Sequence, residues 1–457
     1  MKSKIAKSAG LVFVAASMMW GAPRALAAPA IPQLYDPAEI SAILSRKAEA
    51  EAAGHPVVLL AHRSSWQVSV SGPRTLYEDQ VWLIADASSK QARMLARSPI
   101  AYDLTLEQMT LLRARIFRGS DTLSLGRKAL ARRVSAPPWW PTKECAAPYV
   151  SENLALKDLR DGDVLEVAYS VRNRWGSKRY PSSWLRIPFG WPDAPTLERH
   201  IVVGVKGGRC QWRTVGFNDA FVRKHRRPIG EQIPEWLEWM STQHPPVRDI
   251  RGTLSEPVVL ITRSGSWADV SKALWFNIDF WVRSNTDSLF EEAKRFRKPG
   301  IPTRKKAQAV LSELHKRWKR VKGSLLECCY IPRPQGAARC LGCASPLEWA
   351  LLATSLMRAS HLDATIFLAR SSSEGFMPDF PTPMQFDRAV IALFVPEENR
   401  YVLLDPAQKN LRKAEDAIAQ DAILLGVQTD WQEGLYRLSG GMLEVVDATS
   451  LEGTQED

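Results

Sequence analysis

The chain has no cysteine before Cys145, no uninterrupted apolar run of about 18 residues after its first segment, no internal repeat, and only seven histidines. Each shortage excludes something. With no early cysteine, a lipid-modified cysteine cannot anchor the N-terminus. With no long apolar run, the body of the chain is expected to be soluble rather than membrane-spanning. With no repeat, nothing points to a stacked repeat array. With so few histidines, candidates for a general base near neutral pH are scarce.

The N-terminus reads as an export signal. Lys2, Lys4 and Lys7 form a positive start, and Ala9 to Ala22 form an apolar core too short to span a bilayer comfortably. Ala25-Leu26-Ala27 then supplies a small-residue cleavage site, and Pro23 argues against a retained anchor helix. Residues 1–27 are therefore expected to be removed on export to the periplasm, with release outside the cell as the alternative. Cleavage takes four basic and no acidic residues and lowers the formal charge from +12 to +8. That charge is spread along the chain, and export makes nucleic acid an unsuitable partner. An envelope protein or an anionic envelope polymer fits better. No stable membrane span is expected after cleavage.

Six cysteines in an exported chain read first as disulfides, with candidates Cys145, Cys210, Cys328, Cys329, Cys340 and Cys343. The last four crowd together, which favours pairs within that cluster and Cys145 with Cys210. Two other readings of the cluster stay open. Four thiolates could hold zinc, although adjacent cysteines chelate awkwardly, and Cys340-x-x-Cys343 could be a redox pair without the usual βαβ context. Neither a cofactor nor a metal is expected. The seventeen tryptophans point to large aromatic cores before carbohydrate-like contacts.

Along the chain, residues 28–54 read as a linker with an alanine-rich helix from Ala38 to Ala53. Residues 55–245 change to strands: Val57–Leu60, Ser65–Val70, Glu78–Ala85 and Ile201–Val205. The clearest follows Gly162, with Leu165, Val167, Tyr169 and Val171 opposite Glu166, Ala168, Ser170 and Arg172. That period of two predicts a half-buried antiparallel strand, and many short strands predict a β-sandwich-like domain. Pro228 to Pro257 reads as a boundary, and residues 246–300 as a linker with a helical segment. Residues 301–445 then form an α+β domain. It opens on a helix from Thr303 to Val321 with an apolar stripe of Ala307, Val310, Leu311, Leu314, Trp318 and Val321. The basic face of that helix is expected to be solvated, with a membrane-surface or polyanion role as the alternative. The polar, acidic tail 446–457 is expected to be disordered.

From Cys340 to Asp405 the order is a cysteine loop, a helix (Leu347 to Ala359), a strand (Thr365 to Leu368), Phe386-Asp387-Arg388 opening a second strand, and Tyr401 to Leu404 ending in Asp405-Pro406. This order resembles the transglutaminase-like family, relatives of papain-type thiol enzymes. Leu156 to Glu166 resembles the β-rich domain of unknown function that precedes such domains in bacterial envelope proteins. Ser266-Trp267 and the helix to Trp281 resemble the linker between the two. The order of elements matches over about residues 55–410.

The resemblance implies a cysteine nucleophile opening the helix, a histidine base on the next strand and an aspartate to orient it. An ungapped match of Ala350, Leu352, Leu356 to Ala359, Leu362 and Ala364 puts the nucleophile position on Pro346, with Ser345 as the natural N-cap. The base position falls on Arg388, which cannot be deprotonated at usable pH. Only Asp405 is kept. His361 replaces the family's glycine and is expected on a surface turn. The expectation is a non-catalytic binding or scaffold module in the cell envelope, with an Arg388–Asp405 ion pair replacing His–Asp. Two rivals are an active transglutaminase, peptidase or amidase using Cys343, and a redox or metal module on Cys328, Cys329, Cys340 and Cys343.

Overall fold

The structure is a computed structural model. It describes residues 34–69, 74–97, 100–103, 107–125, 130–134, 149–154, 156, 158–173, 184–190, 194–206, 210–215, 222–226, 235–244, 258–320, 325, 332, 342–370, 375–418, 422–427, 434–448 and 451. The export signal, the cysteines at 145, 328, 329 and 340, and most of the acidic tail lie outside these residues.

The fold is α+β with mostly antiparallel sheets in both halves, but the large sheet of the N-terminal half is not wholly antiparallel as expected, because 57–69 and 196–206 pair in parallel at its centre. The N-terminal half is built on an eight-stranded sheet. Its spatial order is 222–226, 235–244, 196–206, 57–69, 75–84, 163–173, 107–118 and 121–124. The two strands expected at Val57 and Ser65 are one, Val57–Ser69, and a register shift between Leu59 and Ala61 absorbs the irregularity. Pro228 to Pro257 is not simply a boundary, because Glu235–His244 within it is a sheet strand. Val258–Thr262 also belongs to the β half. It is buried along its length and lies between Gln211–Val215 and Trp184–Pro188 in a three-stranded sheet.

Strand alternation gives the large sheet two faces of different character. One packs on the small sheet through Ile201, Val203, Leu237, Trp239, Val259 and Ile261. Farther along the same face a second apolar cluster forms around Leu59, Trp82, Leu165, Val167 and Ile100. The opposite face is covered by the N-terminal helices, where Ile40 and Ile43 meet Val58, Leu60, Val81 and Leu83. The expected single alanine-rich helix is two, Pro37–Leu44 and Lys47–Ala52. Ser45 ends the first by donating its hydroxyl to Ala42 O at 2.7 Å. Asp163–Asn173 is a central strand, not a half-buried one. Its second face hides Glu166 completely, paired with Arg113 and Arg115.

In the C-terminal half, Ser266 caps a helix that runs from Trp267 to Ala293, well past the expected end at Trp281. Its stripe of Val270, Leu274, Ile278, Trp281 and Val282 packs on the helix Pro346–Ala359. That second helix is apolar nearly all round and is buried on every side. The helix Thr303–Arg317 joins them through Ala307, Val310, Leu311 and Leu314. It stops before Trp318, where the chain turns extended to pair Lys319 and Arg320 with Cys343 and Ala344.

These helices cover one face of a six-stranded antiparallel sheet, in the order 400–404, 388–395, 364–370, 423–426, 435–439 and 442–445. The sheet curls until its two edge strands meet, and Tyr401 N donates to Gly441 O at 2.7 Å. A Cβ at Gly441 would lie 2.7 Å from that of Arg400, and φ there is +84°, so this closure needs glycine. Phe367, Val390, Ala392, Leu403, Leu424 and Tyr436 fill the inside of the curl.

Candidate functional site

Pro346 occupies the first turn of its helix, as its fixed φ and missing N–H favour. Ser345 Oγ accepts from Glu348 N, and the Glu348 carboxylate accepts from Ser345 N at 2.9 Å, completing a capping box. The helix N-terminus is thus closed by its own side chains. The amide of Glu348 is committed to Ser345, at the place where the family resemblance implies a thiolate.

Arg388 opens the strand Arg388–Val395, and Asp405 follows the strand Arg400–Leu404. Antiparallel pairing of these strands brings the two side chains together, with Arg388 Nη1 3.7 Å from Asp405 Oδ2. The same Nη1 donates to Ala417 O at 2.9 Å, and Asp405 Oδ1 accepts from Ala407 N at 2.8 Å. Arg388 keeps about two-fifths of its side chain exposed (41 %), whereas Asp405 keeps 15 %. The expected ion pair is present.

Cys343 lies on the short strand before this helix. It is 1 % exposed and disulfide-bonded. Its candidate partners in the cluster lie outside the described residues. Cys210, expected to pair with Cys145, is instead a half-buried thiol beside the Arg263 guanidinium. His361 sits on an exposed turn at φ +62°, as expected.

Sequence reasoning missed two sets of histidines. His315, on the helix Thr303–Arg317, donates from Nε2 to Pro406 O at 3.1 Å and stands edge-on to Trp349, 5.0 Å between centroids. Trp349 Nε1 donates to the same carbonyl at 2.7 Å. Burial lowers the His315 pKa, and the imidazole holds the Asp405-Pro406 turn rather than a nucleophile. The only sequence signal was its place beside the apolar stripe.

The second set lies inside the β half. His62, Ser64, Glu78 and Arg199 are buried together between the two apolar clusters of the sandwich face. Arg199 Nη2 donates to Ser64 Oγ at 2.7 Å, Ser64 Oγ donates to Glu78 at 2.8 Å, and His62 Nε2 also bonds Glu78. Burial and the Arg199 charge hold the His62 pKa down. Glu78 is also held low, because His62, Arg199 and Ser64 together outweigh burial. The sequence hint was a polar His62-Arg63-Ser64-Ser65 run inside an apolar strand. Among the described residues no group of three or more His, Cys, Asp or Glu is placed to hold a metal ion.

The halves meet through the loop before Arg388. Phe380 is fully buried against Val258 and Leu260, Thr262 Oγ1 donates to Pro381 O at 2.6 Å, and Trp267 Nε1 donates to Pro378 O at 2.7 Å. Gln385 braces the loop from inside through Met377 N, Met377 O and Phe380 O. The β half therefore sets the approach to the Arg388 strand.

No family model matches the sequence, and no curated protein matches it. A solved structure named "putative protease" from Parabacteroides distasonis is similar over 86 % of this chain and 72 % of its own, at 11 % identity and a TM-score of 0.63. That likeness spans both halves and concerns the fold alone. A "putative cysteine protease" from Cytophaga hutchinsonii matches over 53 % of this chain and 84 % of its own, at 11 % identity and a TM-score of 0.24. An M1 zinc metallopeptidase from Deinococcus radiodurans matches over 46 % and 42 %, at 14 % identity and a TM-score of 0.22. Neither of these two bears on the reading of the site.

Proposed function

We propose that this chain is a non-catalytic scaffold with a thiol-protease-like framework, exported to the cell envelope, where its transglutaminase-like half binds a protein or polymer partner. The observation that carries the reading is the Arg388–Asp405 ion pair at 3.7 Å, standing where catalysis would need histidine and aspartate. A guanidinium cannot accept a proton, so the pair preserves architecture without proton transfer. Pro346 and its capping box support the same reading from the nucleophile side. The rival nucleophile, Cys343, is buried and its sulfur is bonded, whereas thiol catalysis requires an accessible thiolate.

Restoration tests it. Pro346→Cys alone should alkylate slowly with iodoacetamide at pH 6.5, because an ordinary thiol is only about 1 % ionised there. Pro346→Cys combined with Arg388→His should react on the order of ten-fold faster or more, through an imidazole-paired thiolate. Equal rates would refute the inherited framework. Peptidase, amidase or acyl-transfer activity in the unmodified chain, lost in Cys343→Ser, would refute the non-catalytic reading.

A further inference from the structure

On the face of the eight-stranded sheet opposite the sandwich interior, a second polar network clamps the segment 34–44. Arg63 is its centre. Its Nη1 donates to Leu34 O at 2.9 Å, its Nη2 donates to Glu39 Oε1 at 2.6 Å, and its guanidinium lies 4.2 Å from the centre of the Tyr35 ring. All three partners belong to the segment 34–44, which Asp79 and Arg113 also hold, through Tyr35 N at 2.9 Å and Tyr35 O at 3.0 Å. The remaining donor, Nε, points at His200 Nδ1 at 3.0 Å. His200 Nε2 faces Glu238 Oε1 at 2.5 Å.

This arrangement dictates the state of His200. Arg63 can only donate, so Nδ1 must be the lone-pair nitrogen and the single imidazole proton sits on Nε2, given to Glu238. A second proton on Nδ1 would remove the Arg63 bond and set two buried cations against each other. Both side chains are almost wholly buried, so water cannot screen them. Arg63 would then have to swing away and give up its bonds to Leu34 and Glu39, part of what pins the segment.

We propose that His200 is an acid-operated latch: neutral, it orients Arg63 to hold the strap of residues 34–44 on the sheet, and protonated, it releases that strap. The strap has its own grip through Ile40 and Ile43, so release means a larger open fraction rather than detachment.

Other charged groups face the latch and must be separated from it. Asp79, from the neighbouring strand, accepts from Tyr35 N at 2.9 Å and from Arg113 Nη2 at 3.0 Å. Burial, then the Glu166 charge, pushes its pKa up to about 7, so Asp79 changes charge between the two pH values of the test below. Glu39 is held below the usual carboxylate range against its own partial burial, chiefly by its hydrogen bond to Arg63. Glu198, on the His200 strand, pairs with Arg46 at 3.5 Å beyond the strap. Glu238 and His244 lie on the strand paired to it. His62, Glu78 and Arg199 lie on the other face of the sheet.

The test is amide hydrogen exchange by mass spectrometry on the full chain at pH 7.5 and 5.5, corrected for intrinsic exchange. It compares peptides from residues 34–44 with peptides from residues 388–395. In the wild type, protection of the strap should fall about ten-fold or more at pH 5.5, while the 388–395 strand stays unchanged. His200→Gln, which keeps an acceptor for Arg63 but cannot charge, should abolish the pH effect. Glu39→Gln cuts the exposed end of the clamp and should lower strap protection at both pH values. Asp79→Asn should leave the pH effect in place. The proposal is overturned if wild-type protection is the same at both pH values, or if both segments loosen together. It is equally overturned if His200→Gln retains the drop while Asp79→Asn removes it.

Discussion

Asp79 is the buried carboxylate whose replacement gives the sharpest stability signature. Its carboxyl is fully buried between Tyr35 N and Arg113, and burial and Glu166 together raise its pKa from 3.8 to about 7. A raised folded-state pKa means that the folded chain binds more protons than the unfolded chain between those values. Asp79 therefore supports the fold most at acid pH, and its support drains away as pH rises through 7. Integrated from pH 5 to pH 8, the loss is about 2.5 kcal/mol. Asp79→Asn replaces a protonated carboxyl by a near-isostere that cannot ionise. At pH 5 the variant should match the wild type within about 1 kcal/mol, and by pH 8 it should have gained about 2.5 kcal/mol on it. Urea unfolding at pH 5, 6, 7 and 8, followed by tryptophan fluorescence, gives both curves. Glu166→Gln, which removes the second cause of the shift, should flatten part of the same slope. Stability curves for wild type and Asp79→Asn that run parallel from pH 5 to 8 would refute the reasoning.

Two further substitutions probe the framework around the site. Ser345→Ala deletes the accepting half of the capping box and should cost about 1 kcal/mol in urea unfolding. No measurable loss would mean that the Pro346 turn alone holds this helix start. Phe380→Ala empties the space between Val258 and Leu260 and should cost about 3–5 kcal/mol. It should also raise proteolytic cleavage within residues 375–387, and an unchanged cleavage pattern would show that Gln385 alone keeps the loop in place.

Much of the architecture was readable one element at a time. Ser345 before Pro346, with Glu348 three residues on, is a helix start wherever it occurs, and the structure caps the helix there. Gly162, at φ +80°, turns the chain into the strand that the alternation from Leu165 to Val171 announced. The lengths of elements were harder to read. Trp267–Ala293 outruns its expected end because its later turns pack on the buried helix Pro346–Ala359, and Thr303–Arg317 stops early because Lys319 and Arg320 are drawn into pairing with Cys343 and Ala344. Those outcomes depend on partners distant in sequence, which override local propensity.

The sequence by itself determined the local features: helix starts, strand alternation, and the chemical identities of Pro346, Arg388 and Asp405, which limit proton transfer whatever their geometry. Only the tertiary structure decided which of these residues meet. Pairing of the strands 388–395 and 400–404 brings Arg388 to Asp405. The register of the large sheet sorts His62 with Glu78 on one face and Arg63 with His200 on the other. The physical reason is the range of the forces. Capping and alternation act over a few residues. A buried charge must instead find its hydrogen-bond partners wherever the folded chain delivers them, here up to 137 residues away.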